Sequence, residues 1–179
     1  IEQYHEWFTC LVEKNAENLG SIQQNISLLG LVRRTTGFTN YSDLWLILPG
    51  MALFALPYLR FSQYKNLAFR ETILASVLLF VILFSTGSEA SGYVIALLGV
   101  CIWYTAAPWK RGKWAIALMI FVFILSGMGS SDLFPKFIRE EYIKPYALRA
   151  LPISILWLWL CYELCTKDYA TNETIEAHE

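Results

Sequence analysis

The sequence predicts an all-helical protein, a polytopic transmembrane bundle of about five spans, and three observations carry that expectation. Of 179 residues, 56% are hydrophobic and only 16% charged, against about a quarter charged in ordinary soluble domains. The charges crowd into the first quarter of the chain, its last residues and short islands between. Separating them are the uncharged runs 44–59, 72–88, 90–109, 114–131 and 150–162. A spanning helix takes about 20 mostly apolar residues. Three runs reach or approach that length; the first reaches it if Arg60 snorkels, and the last needs Arg149 and Glu163 at its two interfaces. The expected organisation is an extracytoplasmic, interfacial amphipathic segment over 1–42, a transmembrane bundle over 43–165 and a cytoplasmic tail over 166–179.

In the first segment Tyr4, Trp7, Phe8, Leu11 and Val12 recur at helical spacing. They form one apolar stripe opposed by Glu2, Glu6, Glu13, Lys14 and Glu17. Such a helix either lies at a membrane interface or covers other helices. Gly20 and Ser21 end it, with Ser21 placed to cap a second helix. That second segment runs from the polar Gln23-Gln24-Asn25 through Leu28-Leu29-Gly30-Leu31 to Arg33-Arg34. Paired arginines fit a phosphate because the guanidinium fork matches its oxygens. The plainer alternative is a helix C-terminus with favourable cations.

Pro49-Gly50 and Pro57 kink the first run. The hairpin Ser85-Thr86-Gly87-Ser88-Glu89-Ala90-Ser91-Gly92-Tyr93 sets one carboxylate among hydroxyls between two apolar runs. An ionisable group there is costly near a bilayer and points to function, unless it is a solvated tip. Residues 132–149 alternate charges with Phe134, Phe137, Ile138 and Tyr142. This predicts a surface helix capped by Ser131 or Asp132 and ended by Lys144-Pro145, its charges forming a solvated face.

Unopposed cations in 60–70 (Arg60, Lys65, Arg70) and 110–113 place those connections in the cytoplasm. The expected topology is therefore N-outside and C-inside, in a bacterial inner membrane. Arg33, Arg34, Glu89 and Asp132 then share the extracytoplasmic face. With a net charge of −1 and no basic cluster, the composition excludes a nucleic-acid partner. Two histidines and four cysteines without a CxxC pair predict no metal site and no cofactor, and Cys161 with Cys165 reads as core packing. The missing initial Met and signal peptide suggest a piece of a longer polytopic protein.

Asn25-Ile26-Ser27-Leu28-Leu29-Gly30 with Arg33-Arg34, and Ser85-Thr86-Gly87-Ser88-Glu89 followed by Tyr93, resemble the C-terminal half of bacterial membrane glycosyltransferases of family 87. These are relatives of polyprenol-phosphate-mannose-dependent mannosyltransferases. Asp132-Leu133-Phe134-Pro135 and Leu151-Pro152 with Trp157 resemble it too. The family's Asn-Gln-Ser-Leu-x-Gly-x-x-x-Arg is matched at Asn25, Ser27, Leu28, Gly30 and Arg34, with Ile26 in place of Gln. The family's hairpin His is replaced, this chain having Thr86-Gly87 and Glu89. The resemblance implies a GT-C fold that moves a mannose-like sugar from a polyprenyl-phosphate donor to an extracytoplasmic acceptor. It assigns substrate binding to Asn25, Ser27, Arg33, Arg34, Ser88 and Glu89. The general base is expected in a missing N-terminal half, so no catalytic residue is named here. The implied partners are membrane lipid, the lipid-linked sugar and that missing half. The alternatives are a non-catalytic membrane scaffold or a transporter of lipid-linked sugars; a transporter would carry more polar residues within its spans.

Overall fold

A computed structural model describes residues 2–20, 24–38 and 41–170. Eight α-helices follow in order: α1 (Glu2–Gly20), α2 (Leu28–Thr36), α3 (Leu44–Ala55), α4 (Leu67–Leu83), α5 (Tyr93–Thr105), α6 (Lys113–Phe121), the single turn α7 (Lys136–Ile138) and α8 (Ala150–Thr166). Two 3-10 turns, Leu56–Leu59 and Phe61–Lys65, join α3 to α4. Wider π-helical stretches extend α6 over Val122–Gly127 and α7 over Arg139–Ile143. No strand occurs among the described residues.

The centre is the α4–α5 hairpin with α8 laid against it. Gly99 lets the two hairpin helices approach, because a Cβ there would sit 3.1 Å from the Ala75 carbonyl oxygen. From α8, Trp157 is buried and its Nε1 donates to Ser76 Oγ at 3.1 Å. Phe54, Phe80, Phe84 and Trp157 continue as a chain of ring contacts toward α3. Gly50 of α3 lies under the Phe84 ring, where any side chain would collide with it.

Polar clusters close the two ends of this core. At one end Glu163 accepts from Arg111 Nη1 (2.7 Å), Trp103 Nε1 (2.7 Å) and Trp159 Nε1 (2.9 Å). Arg111 also stacks on the Trp103 ring, 4.0 Å from its centroid. Nearby, Arg60 Nη1 donates to the Leu164 and Lys167 carbonyls, and Gln63 Nε2 donates to Asp168. The other end is formed by α2, the 84–92 hairpin and the 128–149 connection.

The five-span expectation does not hold. No described helix is long and apolar enough to cross a membrane. The longest apolar ones, α4 and α8, have 17 residues each, about 25 Å at 1.5 Å per residue, against a hydrocarbon core of about 30 Å. The runs in the sequence are longer than the helices because their ends leave helical geometry. Pro57 turns the first run into a 3-10 turn after Ala55. The third run ends its helix at Thr105, ahead of Pro108. In the second, residues after Leu83 become the hairpin. The multi-pass inner-membrane location, and the orientation derived from it, fall with the spans. Glu163, expected at an interface, is instead 3% exposed within the ion-pair cluster.

The surface helix expected after Asp132 starts later, at Lys136, because Pro135 fixes its first turn. Asp132 pairs with Arg139 at 3.0 Å instead of capping. The proposed Ser21 cap and most of the acidic tail, 171–179, lie outside the described residues.

Large apolar side chains stay exposed along the outer faces: Tyr4, Trp7 and Phe8 on α1, Trp45 and Leu48 on α3, Trp114 on α6, Leu158 and Trp159 on α8.

Candidate functional site

Two polar clefts open at the α2 end, one on either side of the 84–92 hairpin. The sequence builds their shared wall locally. Asn25 adopts φ 56, a left-handed conformation that Asn tolerates better than most residues. This reverses the chain so that Ile26 N donates to the Ser88 carbonyl (2.9 Å) and the Ile26 carbonyl accepts from the Tyr93 hydroxyl (2.8 Å). Ser27 then caps α2, its Oγ accepting from Gly30 N at 3.2 Å and donating to Asn25 Oδ1 at 2.7 Å. Gly30 is required because a Cβ would strike the Asn25 carbonyl oxygen. The spacing of Asn25, Ser27 and Gly30 is thus one folded turn. Asn25 and Ser27 are 1% and 0% exposed, so they shape the site from behind.

The first cleft, about 470 Å³, is lined by Gln24, Ile26, Glu89, Ser91, Ser130 and, from the connection before α8, Ile143, Lys144, Ala147 and Arg149. Arg149 is its central group. It is 5% exposed, and its Nε and Nη2 donate to the Ser126 carbonyl at 3.0 and 2.7 Å. Nη1 donates to Ser130 Oγ at 2.7 Å, at the cleft wall. Ser126 Oγ returns a bond to the Arg149 carbonyl at 2.6 Å. The guanidinium lies over the Tyr93 ring, 4.5 Å from its centroid. Among the described residues no carboxylate lies within ion-pair distance of it. Burial lowers its pKa and raises that of Tyr93. Gly129 makes room for the arrangement, since a Cβ there would meet the Leu125 carbonyl and the Arg149 stem at 3.0 Å.

Ala147 also takes a left-handed φ, of 50. Non-glycine residues held there cost about 1–2 kcal/mol and gather at functional sites. Of the two described non-glycine residues with positive φ, Ala147 lines this cleft and Asn25 lies behind its wall, between the lining residues Gln24 and Ile26.

Arg34 clamps the rim. Its Nη2 donates to the Gln24 carbonyl at 2.8 Å and its Nη1 to the Lys144 carbonyl at 3.2 Å, and burial lowers its pKa. Glu89 is exposed at the mouth and accepts from Gln24 Nε2 at 3.3 Å. Ser88 is buried, its Oγ donating to the Ile82 carbonyl at 2.5 Å, and so holds the hairpin rather than facing the cleft.

Arg33 departs from the expected pair. Successive helical residues point about 100° apart, and Arg33 turns to the second cleft, where it bonds Asp43 at 2.6 Å. The two arginines thus point to different clefts. Arg34, Glu89 and the hairpin do meet at the first cleft. Arg149, Lys144, Ser130 and Gln24 join them without having been singled out from the sequence. Their signal was faint: Arg149 served only as a helix-end anchor, and its partners Ser126 and Ser130 lie far from it along the chain.

No group of three or more described His, Cys, Asp or Glu residues is placed to hold a metal. Comparisons with family models, with curated proteins and with solved structures gave no match.

Proposed function

We propose that the first cleft binds the phosphate of a polyprenyl-phosphate-linked sugar, and that the chain is the C-terminal portion of a glycosyltransferase using that donor. The carrying observation is Arg149, a buried guanidinium with no carboxylate beside it. A buried charge lacking a counter-ion is costly. A carbonyl, a hydroxyl and an aromatic face offset part of that cost, and a bound phosphate offsets the remainder with charge-assisted bonds. Arg34 closes the rim from α2, while Lys144 on the cleft wall is neutralised by Glu140 at 2.7 Å. Glu89 and Ser91 at the mouth offer hydrogen bonds to sugar hydroxyls. The exposed apolar flanks are chemically suited to an isoprenoid tail.

In this scheme the chain supplies charge stabilisation at the departing phosphate, and the base that deprotonates the acceptor comes from elsewhere in the protein. The test is sugar transfer by the full-length protein from a polyprenyl-phosphate-mannose donor. Arg149→Met, which keeps the stem but not the charge, is expected to lower transfer by about a hundredfold, the size of losing one charge-stabilising donor. Arg34→Ala is expected to fall as well, and Arg34→Lys to recover part of it, because Lys lacks the fork that reaches two carbonyls. Wild-type transfer by a folded Arg149→Met protein would overturn the proposal.

A further inference from the structure

The second cleft, about 790 Å³, lies across the hairpin from the first, and we infer that it binds the hydroxyls of a neutral saccharide. As an acceptor site this rests on the donor reading of the first cleft; as a saccharide site it stands alone. Among the described residues its ion pair is internal: Arg33 Nη2 meets Asp43 Oδ1 at 2.6 Å, with side chains 11% and 15% exposed. The charges cancel, so the cleft lacks the unbalanced cation that marks its neighbour.

The remaining polar lining is Asn15 of α1, Tyr41, whose ring lies 5.0 Å from the Arg33 guanidinium, Ser42, and the hairpin residues Ser85 and Thr86. Hydroxyls and amides both donate and accept, which is what a polyol needs, since each of its hydroxyls does the same. A paired Arg and Asp extend this at charge-assisted strength. Between the polar groups, Ile47 and Phe84 present apolar surface of the kind that the C–H face of a pyranose covers. The volume lies in the range of small-molecule sites.

The geometry connects the two clefts. Residues 85 and 86 face the second and residues 89 and 91 the first, with one turn of chain between them. On α2, Arg33 faces the second cleft, and the next residue, Arg34, clamps the rim of the first. Two ligands so placed would lie on either side of this one wall.

The test uses the purified full-length protein and saturation-transfer NMR with methyl α-mannoside, methyl β-glucoside and an α-linked mannose disaccharide. Geranyl phosphate is titrated in parallel. Wild type is expected to transfer saturation to at least one saccharide, and Thr86→Trp, which fills the cleft, to weaken that binding by about tenfold or more, the equivalent of one charge-assisted hydrogen bond. Arg149→Met is expected to leave saccharide binding unchanged while weakening geranyl phosphate. If Thr86→Trp loses its helical content, Asp43→Asn replaces it, with the same loss expected. Saccharide binding that is absent from wild type, or equal in wild type and a folded cleft variant, overturns the inference. Saccharide binding lost only in the second-cleft variants, with no geranyl phosphate binding, supports it and removes only the donor reading.

Discussion

Ala147 carries the most informative backbone angle in the molecule. Its φ of 50 is a conformation that L-residues avoid, and the neighbouring turn holds it there. The Ala147 N–H donates to the Lys144 carbonyl at 3.2 Å, and its own carbonyl accepts from Ala150 N at 3.0 Å. These bonds aim Arg149 at Ser126. Ala147→Gly removes the Cβ conflict and is expected to stabilise the fold by about 1 kcal/mol, read as a rise in thermal midpoint. A fall in midpoint would show that the methyl's burial outweighs the strain. None of this is visible in the sequence, where Ala147 is one small residue in a polar connection.

At the scale of elements, a second short helix ending at Arg33-Arg34 was legible, but its cap was not. The sequence offered Ser21, and read Asn25 and Ser27 as substrate-binding through the resemblance, whereas Ser27 is the residue that caps α2 by accepting from the Gly30 N–H. Gly30→Ala is expected to destabilise by about 1–3 kcal/mol through the collision with the Asn25 carbonyl oxygen. Ser27→Ala should cost about 1 kcal/mol, the usual worth of an N-cap. Urea unfolding of both variants measures this, and equal stability of Gly30→Ala and wild type would remove the turn from the account. Less legible was the divergence of Arg33 and Arg34. Adjacent in sequence, they read as a pair, yet helical rotation sends each to a different cleft. Helix ends were also hidden. A run of apolar residues has the same hydropathy whether its last turn is helical, 3-10 or a hairpin, so lengths read from composition exceeded the helices that formed.

At the scale of the whole molecule, one apolar core separates two polar ends with opposite designs. At the Glu163 end the buried Arg111 is answered by a carboxylate: both side chains are 5% exposed, and two indole N–H groups complete the network. That is a satisfied structural cluster. At the Arg149 end a guanidinium of the same depth meets carbonyl, hydroxyl and ring, but no carboxylate. That contrast supports the proposal that the second end is the binding end. Sequence alone weighted Glu163 and Arg149 equally, as the two ends of one apolar run, because it does not show which charge has a partner. The central claim is that the Arg149 cleft recognises phosphate, and calorimetric titration of the full-length protein with geranyl phosphate and with geraniol tests it most directly. The account predicts binding of the phosphate at least about tenfold tighter than the alcohol, with the difference abolished in Arg149→Met. Equal affinity for the two ligands, or a preference that survives Arg149→Met, would contradict it.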